Sequence, residues 1–137
     1  MIDLDHFKKV NDKYGHQVGD QVLASIASIC QKNLRNIDIL ARYGGEEFVI
    51  ILPETTASQA LQTAERLRTD CESNRVESAQ GPISLTISLG LAELTKTCKT
   101  LDELIDSADQ ALYESKRNGR NKSTIWNSNH TNQKHPH

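Results

Sequence analysis

Residues 37–52, "IDILARYGGEEFVIIL", constrain the fold more than any other stretch of the chain. Two short apolar runs flank Gly44-Gly45, and a two-residue glycine turn between such runs predicts a β-hairpin. Paired glycines accept the positive backbone angles that tight hairpin turns need. Glu46 and Glu47 follow at once, and Pro53 ends the returning strand. Two adjacent negative charges beside strands that want burial have two readings. They form a solvated hairpin tip, or a cation sits against them.

Helical periodicity surrounds the hairpin. Val22, Leu23, Ile26, Ile29, Cys30 and Leu34 recur at the spacing of an amphipathic helix that begins after Gly19. A second helix is predicted from about Ser58 to Glu72, with Ala60, Leu61, Ala64, Leu67 and Arg68 along one side. A third opens on Thr100, with Glu103 three residues on as a capping box, and ends near Gly119. "MIDLD", "ISLTISLGLAEL" and "KSTIW" read as strands, and "DHFKKVNDKYG" as a short helical turn. The first six elements follow the order βαββαβ, the ferredoxin-like split arrangement of an α+β fold. That order predicts an antiparallel sheet with helices on one face and the other face partly open for a ligand.

Composition narrows the function. The chain of 137 residues is one domain, expected over residues 1–126. Its net charge of -2 gives no basic field for nucleic acid. No apolar run approaches the ~20 residues of a membrane helix, and the first residues lack a secretory layout. Cys30, Cys71 and Cys98 are odd in number and widely spaced, which fits reduced thiols in a cytoplasm. Residues 127–137 are polar and aperiodic and read as a disordered tail that holds three of the histidines. "MIDLD" reads as a strand from its first residue, so a start cut from a longer chain is expected.

Where βαββαβ strands are neighbours, the end of the first strand, with Asp3 and Asp5, approaches the hairpin with Glu46 and Glu47. Asp3 and Asp5 share one face of their strand, and Glu46 and Glu47 point different ways. Converging carboxylates ionise together only if a cation joins them, and oxygen ligands suit Mg²⁺ or Mn²⁺. The alternative is a set of solvated strand ends. Lys8, Lys116, Arg117 and Arg120 supply cations of the kind a polyphosphate-metal site needs. By itself "KRNGR" is equally a solvated helix end that complements the dipole.

Four motifs in order carry a resemblance over nearly the whole chain. "DLDHFKKVNDKYGHQVGD" (3–20), "RYGGEEF" (42–48), "SLG" (88–90) and "ADQALYESKRNGRN" (108–121) resemble those of the GGDEF domain, the bacterial diguanylate cyclase family. The resemblance implies a palm-type sheet like that of nucleotide cyclases. It also implies a reaction in which two GTP condense to cyclic di-GMP with release of two pyrophosphates in a homodimer. On that pattern Asp3, Glu46 and the Leu4 carbonyl hold two divalent metals per site. Glu46 is the family's general base for the ribose 3′-hydroxyl. Because a metal-bound carboxylate is a weak base, we read the metals as acidifying the hydroxyl and Glu46 as orienting it. Glu47 supports the site, and Lys8 stabilises the transferring phosphoryl group. Lys116, Arg120 and the backbone at His6, Phe7 and Lys8 bind triphosphate beside the Gly44-Gly45 turn. Asn11 and Asp20 read guanine, since a carboxylate matches the two donors of its Watson–Crick edge. Asp20 is also placed to be a helix N-cap. Arg35 and Asp38 match the family's RxxD product-inhibition site, with Arg66 as an additional contact, although an Arg–Asp pair at this spacing is also an ordinary ion pair.

The sequence departs from the family at its start. The usual "LTGLxNR"-like segment and the helix around it are absent, and so is a sensor domain. The expectation is therefore a truncated domain whose upstream region carries the sensor and, in some arrangements, a membrane anchor. The alternative function is a catalytically incompetent fragment or a regulatory module that binds GTP or cyclic di-GMP.

Overall fold

The computed structural model describes residues 1–96 and 99–127, so Cys98 and residues 128–137 of the expected tail lie outside the described residues. The chain runs β1 (Ile2–Leu4), α1 (Phe7–Tyr14), α2 (His16–Lys32), β2 (Ile39–Arg42) and β3 (Glu47–Ile51). It continues through α3 (Ala57–Ser73), β4 (Ile87–Leu91), α4 (Leu101–Arg117) and β5 (Ser123–Ile125). The strands form one sheet in the order β2-β3-β1-β4-β5. β1 is central and antiparallel to both neighbours, with Asp3 opposite Glu47 on one side and Ser88 on the other. The βαββαβ expectation holds for the first four strands. β5 adds a fifth, parallel to β4, which makes the sheet mixed.

Alternation along β1 divides the core. Ile2 and Leu4 join a cluster with Phe7, Val22, Ile26, Phe48, Leu67 and Ile87, under α1, α2 and α3. Met1 packs instead with Ala108 and Leu112 of α4. Helices therefore cover both faces, and the expectation of helices on one face is corrected. The reason lies at Gly90 of β4. A Cβ there would stand 2.1 Å from the Ala108 carbonyl oxygen and 2.2 Å from the Leu112 nitrogen, so α4 lies directly on the strand backbone. Ser115 locks the contact, its hydroxyl donating to the Leu89 carbonyl at 2.7 Å. The part of this face that α4 leaves uncovered is apolar. Met1, Val49, Ile51, Leu101, Leu104 and Ile105 line a cavity of about 540 Å³ there, which is no place for a triphosphate.

Local chemistry sets the ends of the helices. Thr56 and Gln59 form a reciprocal capping box at the start of α3, one the sequence reading passed over. At α4 only half of the expected box forms. The Thr100 hydroxyl accepts from the Glu103 N–H at 3.1 Å, while the Glu103 carboxylate turns to the Lys99 N–H. α2 begins at His16 with Gly15 as its cap residue, so Asp20 lies inside the helix and is not its N-cap.

Gly90→Ala should lower the unfolding free energy by about 3 kcal/mol or more, because backbone atoms rather than a yielding side chain block the added methyl. Urea unfolding checks this, and a wild-type midpoint would contradict the direct α4–β4 contact.

Candidate active site at the end of the central strand

The site is built where β1 ends and the β2–β3 hairpin turns. Arg42 pairs with Phe48 across the hairpin, and the Tyr43 N–H donates to the Glu47 carbonyl at 2.8 Å. The turn thus takes in Gly44, Gly45 and Glu46, and neither glycine adopts a positive φ. It is wider than the two-residue turn expected. The Arg42 guanidinium holds the turn from outside, donating to the carbonyls of Gly44 (3.0 Å) and Gly45 (2.5 Å). The Gly44 position is narrow, because a Cβ would meet the Glu47 Oε1 at 3.2 Å. The Leu4 N–H donates to the Glu46 carbonyl at 3.2 Å and ties the hairpin to the end of β1.

These contacts bring Asp3 and Glu46 together. Asp3 is only 2 % exposed, and the Lys116 ammonium donates to its Oδ2 at 2.5 Å. The Glu46 carboxyl titrates above the ordinary carboxylate range. Partial burial is the main cause, followed by the charge of Asp3 and a hydrogen bond shared with it, while Lys116 pulls the other way. As expected, the two glutamates diverge. Glu46 stays half-buried beside Asp3, whereas Glu47 is buried and folds against Gly44. Among the described residues no group of three or more acidic, histidine or cysteine side chains converges as a ready metal cage. The donor chemistry nevertheless fits a hard divalent cation. Two oxygen ligands sit close enough to repel, and a lysine stands where positive charge is required.

The expected nucleotide-binding residues lie on α1, at the α1–α2 junction and in the turn after α4. His6 takes a left-handed conformation (φ 57°) and starts α1 with no side-chain cap, leaving the first-turn N–H groups at Phe7 and Lys8 available. Lys8 is exposed on the first turn of α1. Asn11 lies on α1, where its Oδ1 is buried with no hydrogen-bond partner. It presses on Gly19 of α2, whose Cβ would fall 1.8 Å from that oxygen. Asp20, the next residue, is exposed at the same junction. Arg120 is exposed in the turn after α4, at φ 65°.

Arg35 and Asp38 lie apart from this centre, at the α2–β2 connection. Their side chains pair at 2.8 Å, and the Arg35 N–H also donates to Asp38 at 2.7 Å. Arg35 holds the Asp38 carboxyl below its ordinary range, chiefly through the side-chain hydrogen bond. The guanidinium also donates to Pro53 and Thr55, yet the side chain remains 53 % exposed. Arg66 comes to the same corner from α3 and donates to Asn33 at 2.8 Å.

Sequence reasoning missed Asp5 as a hub. From sequence Asp5 only shares a strand face with Asp3 and stands near the hairpin, whereas its side chain is committed to Thr86, Ser88 and Asn121. The signal available was Thr86 and Ser88, hydroxyls two residues apart and so on one face of a strand. Gly19 and Gly90 gave no sign of their close approaches, because an isolated glycine has many uses.

A paired-carboxylate centre with a lysine beside it, at the end of the central strand of a five-stranded mixed sheet, defines an α+β domain of palm type. The profile of the family "Diguanylate cyclase, GGDEF domain" matches residues 1–122, and the chain belongs to that family. It is 44% identical over 129 residues to Diguanylate cyclase A of Treponema denticola, covering 94% of this chain and 35% of that protein. It is 40% identical over 127 residues to Diguanylate cyclase DosC of Escherichia coli, covering 92% of this chain and 27% of that protein. The chain therefore spans about a third or less of the length of these relatives. Among solved structures, the GGDEF domain of DgcB from Caulobacter crescentus in complex with c-di-GMP superposes with a TM-score of 0.85 at 38% identity, covering 90% of this chain and 74% of that one. The active GGEEF domain of a diguanylate cyclase from Vibrio cholerae gives 0.86 at 34% identity, covering 93% and 80%.

The shift at Glu46 has a thermodynamic consequence. The folded state holds this proton more tightly than the unfolded chain, so stability falls as pH rises from the ordinary carboxylate range through the raised folded value. In metal-free protein at neutral pH, Glu46→Gln should raise the thermal midpoint, and the gain should vanish in acid where wild-type Glu46 is protonated. A midpoint difference that stays constant with pH would contradict the Asp3–Glu46 repulsion.

Proposed function

We propose that this chain is the catalytic domain of a diguanylate cyclase, which condenses two GTP into cyclic di-GMP with release of two pyrophosphates. The Asp3–Glu46 pair with Lys116 against it carries this reading, because a like-charge pair with one member buried and the other half-buried is costly to keep unless a cation and a phosphate are to meet there. Family membership and relatives named diguanylate cyclase support it.

Asp3, Glu46 and the Leu4 carbonyl are the residues that would hold Mg²⁺ or Mn²⁺, two ions per site. When bound, such ions offset phosphate charge and lower the pKa of a coordinated hydroxyl. The chain does the rest. Glu46 stands on the turn beside Asp3 and orients the ribose 3′-hydroxyl for attack, with Glu47 supporting the turn through its contact at Gly44. Lys8 stabilises charge on the transferring phosphoryl group. Lys116, Arg120 and the uncapped amides at Phe7 and Lys8 hold the triphosphate, and the turn at Gly44 and Gly45 runs alongside it. Asn11 and Asp20 read the guanine edge. The unpartnered Oδ1 of Asn11 supports this, since a buried acceptor left alone is costly until a donor arrives.

A phosphodiester ring built from two nucleotides needs two such sites facing one another, so the working unit is a homodimer. The exposed Arg35 fork, with Asp38 fixed beneath it and Arg66 on the same corner, is a separate site for the product.

Supplied with GTP and Mg²⁺, the domain should yield cyclic di-GMP. Glu46→Ala should lower that turnover by at least about a hundredfold. Chromatography of the nucleotides reads the outcome, and undiminished turnover by the variant would sink the site assignment. Tight GTP binding without product in the wild-type protein would indicate a binding module instead. Arg35→Ala should leave initial turnover unchanged and raise the inhibitory concentration of cyclic di-GMP about tenfold, as expected for loss of a charge-assisted bond. Equal inhibition of both proteins would remove the product site from this corner.

A further inference from the structure

Asp5 takes no part in the chemistry outlined above, yet both oxygens of its carboxylate are engaged. Oδ1 accepts from the Ser88 hydroxyl at 2.7 Å. Oδ2 accepts from the Thr86 hydroxyl at 2.7 Å and from the backbone N–H of Asn121 at 3.0 Å. The residue is 3 % exposed, and its own N–H donates to the Thr86 carbonyl at 2.9 Å. With three donors on a group of roughly four acceptor sites, the carboxylate faces β4 and the turn after α4, and little of it is free for a cation.

Asn121 is the key partner, because its neighbour is Arg120. Both residues are left-handed, at φ 65° and 49°. Two successive non-glycine residues in that region persist only where their surroundings fix them. The Arg120 N–H is held by the Ser115 carbonyl at 2.9 Å. The Asn121 side chain donates to Glu72 at 2.6 Å and accepts from Arg68 at 3.1 Å. Those contacts tie the turn to α3 and α4. Asp5 ties it to β1, directly before the left-handed His6 and two residues after Asp3. It is thus the joint between the two segments assigned to phosphate, residues 6–8 and residues 116–120.

We propose that Asp5 is a positioning residue for the nucleotide site: by gripping the Asn121 N–H it sets the Arg120 guanidinium against the triphosphate, and it holds no metal. This inference rests on the assignment of Arg120 to the triphosphate. It also separates the two acids of the "DLD" motif by task, Asp3 for the cation and Asp5 for the frame.

The conservative variant discriminates between a frame and a charge. In Asp5→Asn the carboxamide oxygen can face Asn121 while its NH₂ donates to the Ser88 hydroxyl, which rotates to accept. Asp5→Ala keeps no acceptor. Equilibrium binding of GTP with Mg²⁺ is measured calorimetrically on the full chain for wild type, D5A, D5N, R120A and the D5A/R120A double variant, alongside thermal unfolding. D5A and R120A should each weaken GTP about tenfold. D5A should add less than about twofold in the R120A background, because the two act through one contact. D5N should stay within about threefold of wild type, with an unchanged Mg²⁺ dependence. Fully additive losses, a D5N as weak as D5A, or a D5A that binds like wild type would each overturn the proposal. If D5A does not fold, D5N decides alone: near-wild-type affinity supports the frame, and a tenfold loss overturns it. An R120A variant that binds GTP normally would instead remove the triphosphate assignment on which the inference stands.

Discussion

The rest of the site depends on a repulsion. Asp3 lies on the central strand at 2 % exposure, and Glu46 is drawn against it by the turn of the hairpin. Taken alone, two carboxylates in that position destabilise the fold, and the charge of Asp3 adds to partial burial in raising the Glu46 carboxyl. The chain tolerates it because Lys116 reaches Asp3 from the last turn of α4. That lysine is placed by a packing event on the same face of the helix, since Ala108, Leu112 and Lys116 follow one another at four-residue spacing. α4 settles on the bare backbone at Gly90 and is pinned by Ser115 to Leu89. An apolar contact and a hydroxyl therefore determine where a charge can stand.

The same logic runs along the rim. His6, Arg120 and Asn121 occupy left-handed backbone conformations that non-glycine residues rarely adopt. All three lie next to Asp5, His6 by sequence and the other two through the Asn121 N–H, whereas Glu54, also left-handed, stands in the β3–α3 connection. Such backbone persists where rigid elements on both sides hold it. β1 contributes to both, since its backbone carries the sheet while its alternate side chains split between core and site. Ile2 and Leu4 anchor the main cluster, and Asp3 stands on the opposite face with Ser88 and Glu47 as its cross-strand neighbours.

Much of this was legible in the sequence, and the parts that were not share a cause. The hairpin, the order βαββαβ and the nearness of Asp3 to Glu46 follow from local patterns, because periodicity and turn residues act over a few positions. The covering of both faces did not follow, since it turns on one glycine in β4 whose lack of a side chain admits a helix from 18 or more residues away in sequence. The extra parallel strand likewise depends on where α4 ends. A polar residue ahead of an apolar period makes Asp20 a cap candidate as well as a guanine reader, yet α2 starts a turn earlier at His16 and the junction is set by Asn11 against Gly19. The hairpin turn was read as too tight, because the sequence does not reveal that Arg42 binds its carbonyls from outside.

Asp5 shows why composition near a site is a poor guide to its chemistry. Two acids spaced by one residue on a strand share a face, and symmetry invites the view that both serve a cation. What separates them is the neighbouring strand. Beside Asp3 lies Glu46 on the hairpin turn, so the pair calls for positive charge, and Lys116 supplies one. Beside Asp5 lie two hydroxyls of the Thr86–Ser88 segment and the N–H of Asn121, so the local field is already one of donors. A carboxylate surrounded by donors needs no cation, and a carboxylate facing another carboxylate does. The role of each acid is therefore fixed by the residues across from it, which lie more than 40 positions away for Asp3 and more than 80 for Asp5.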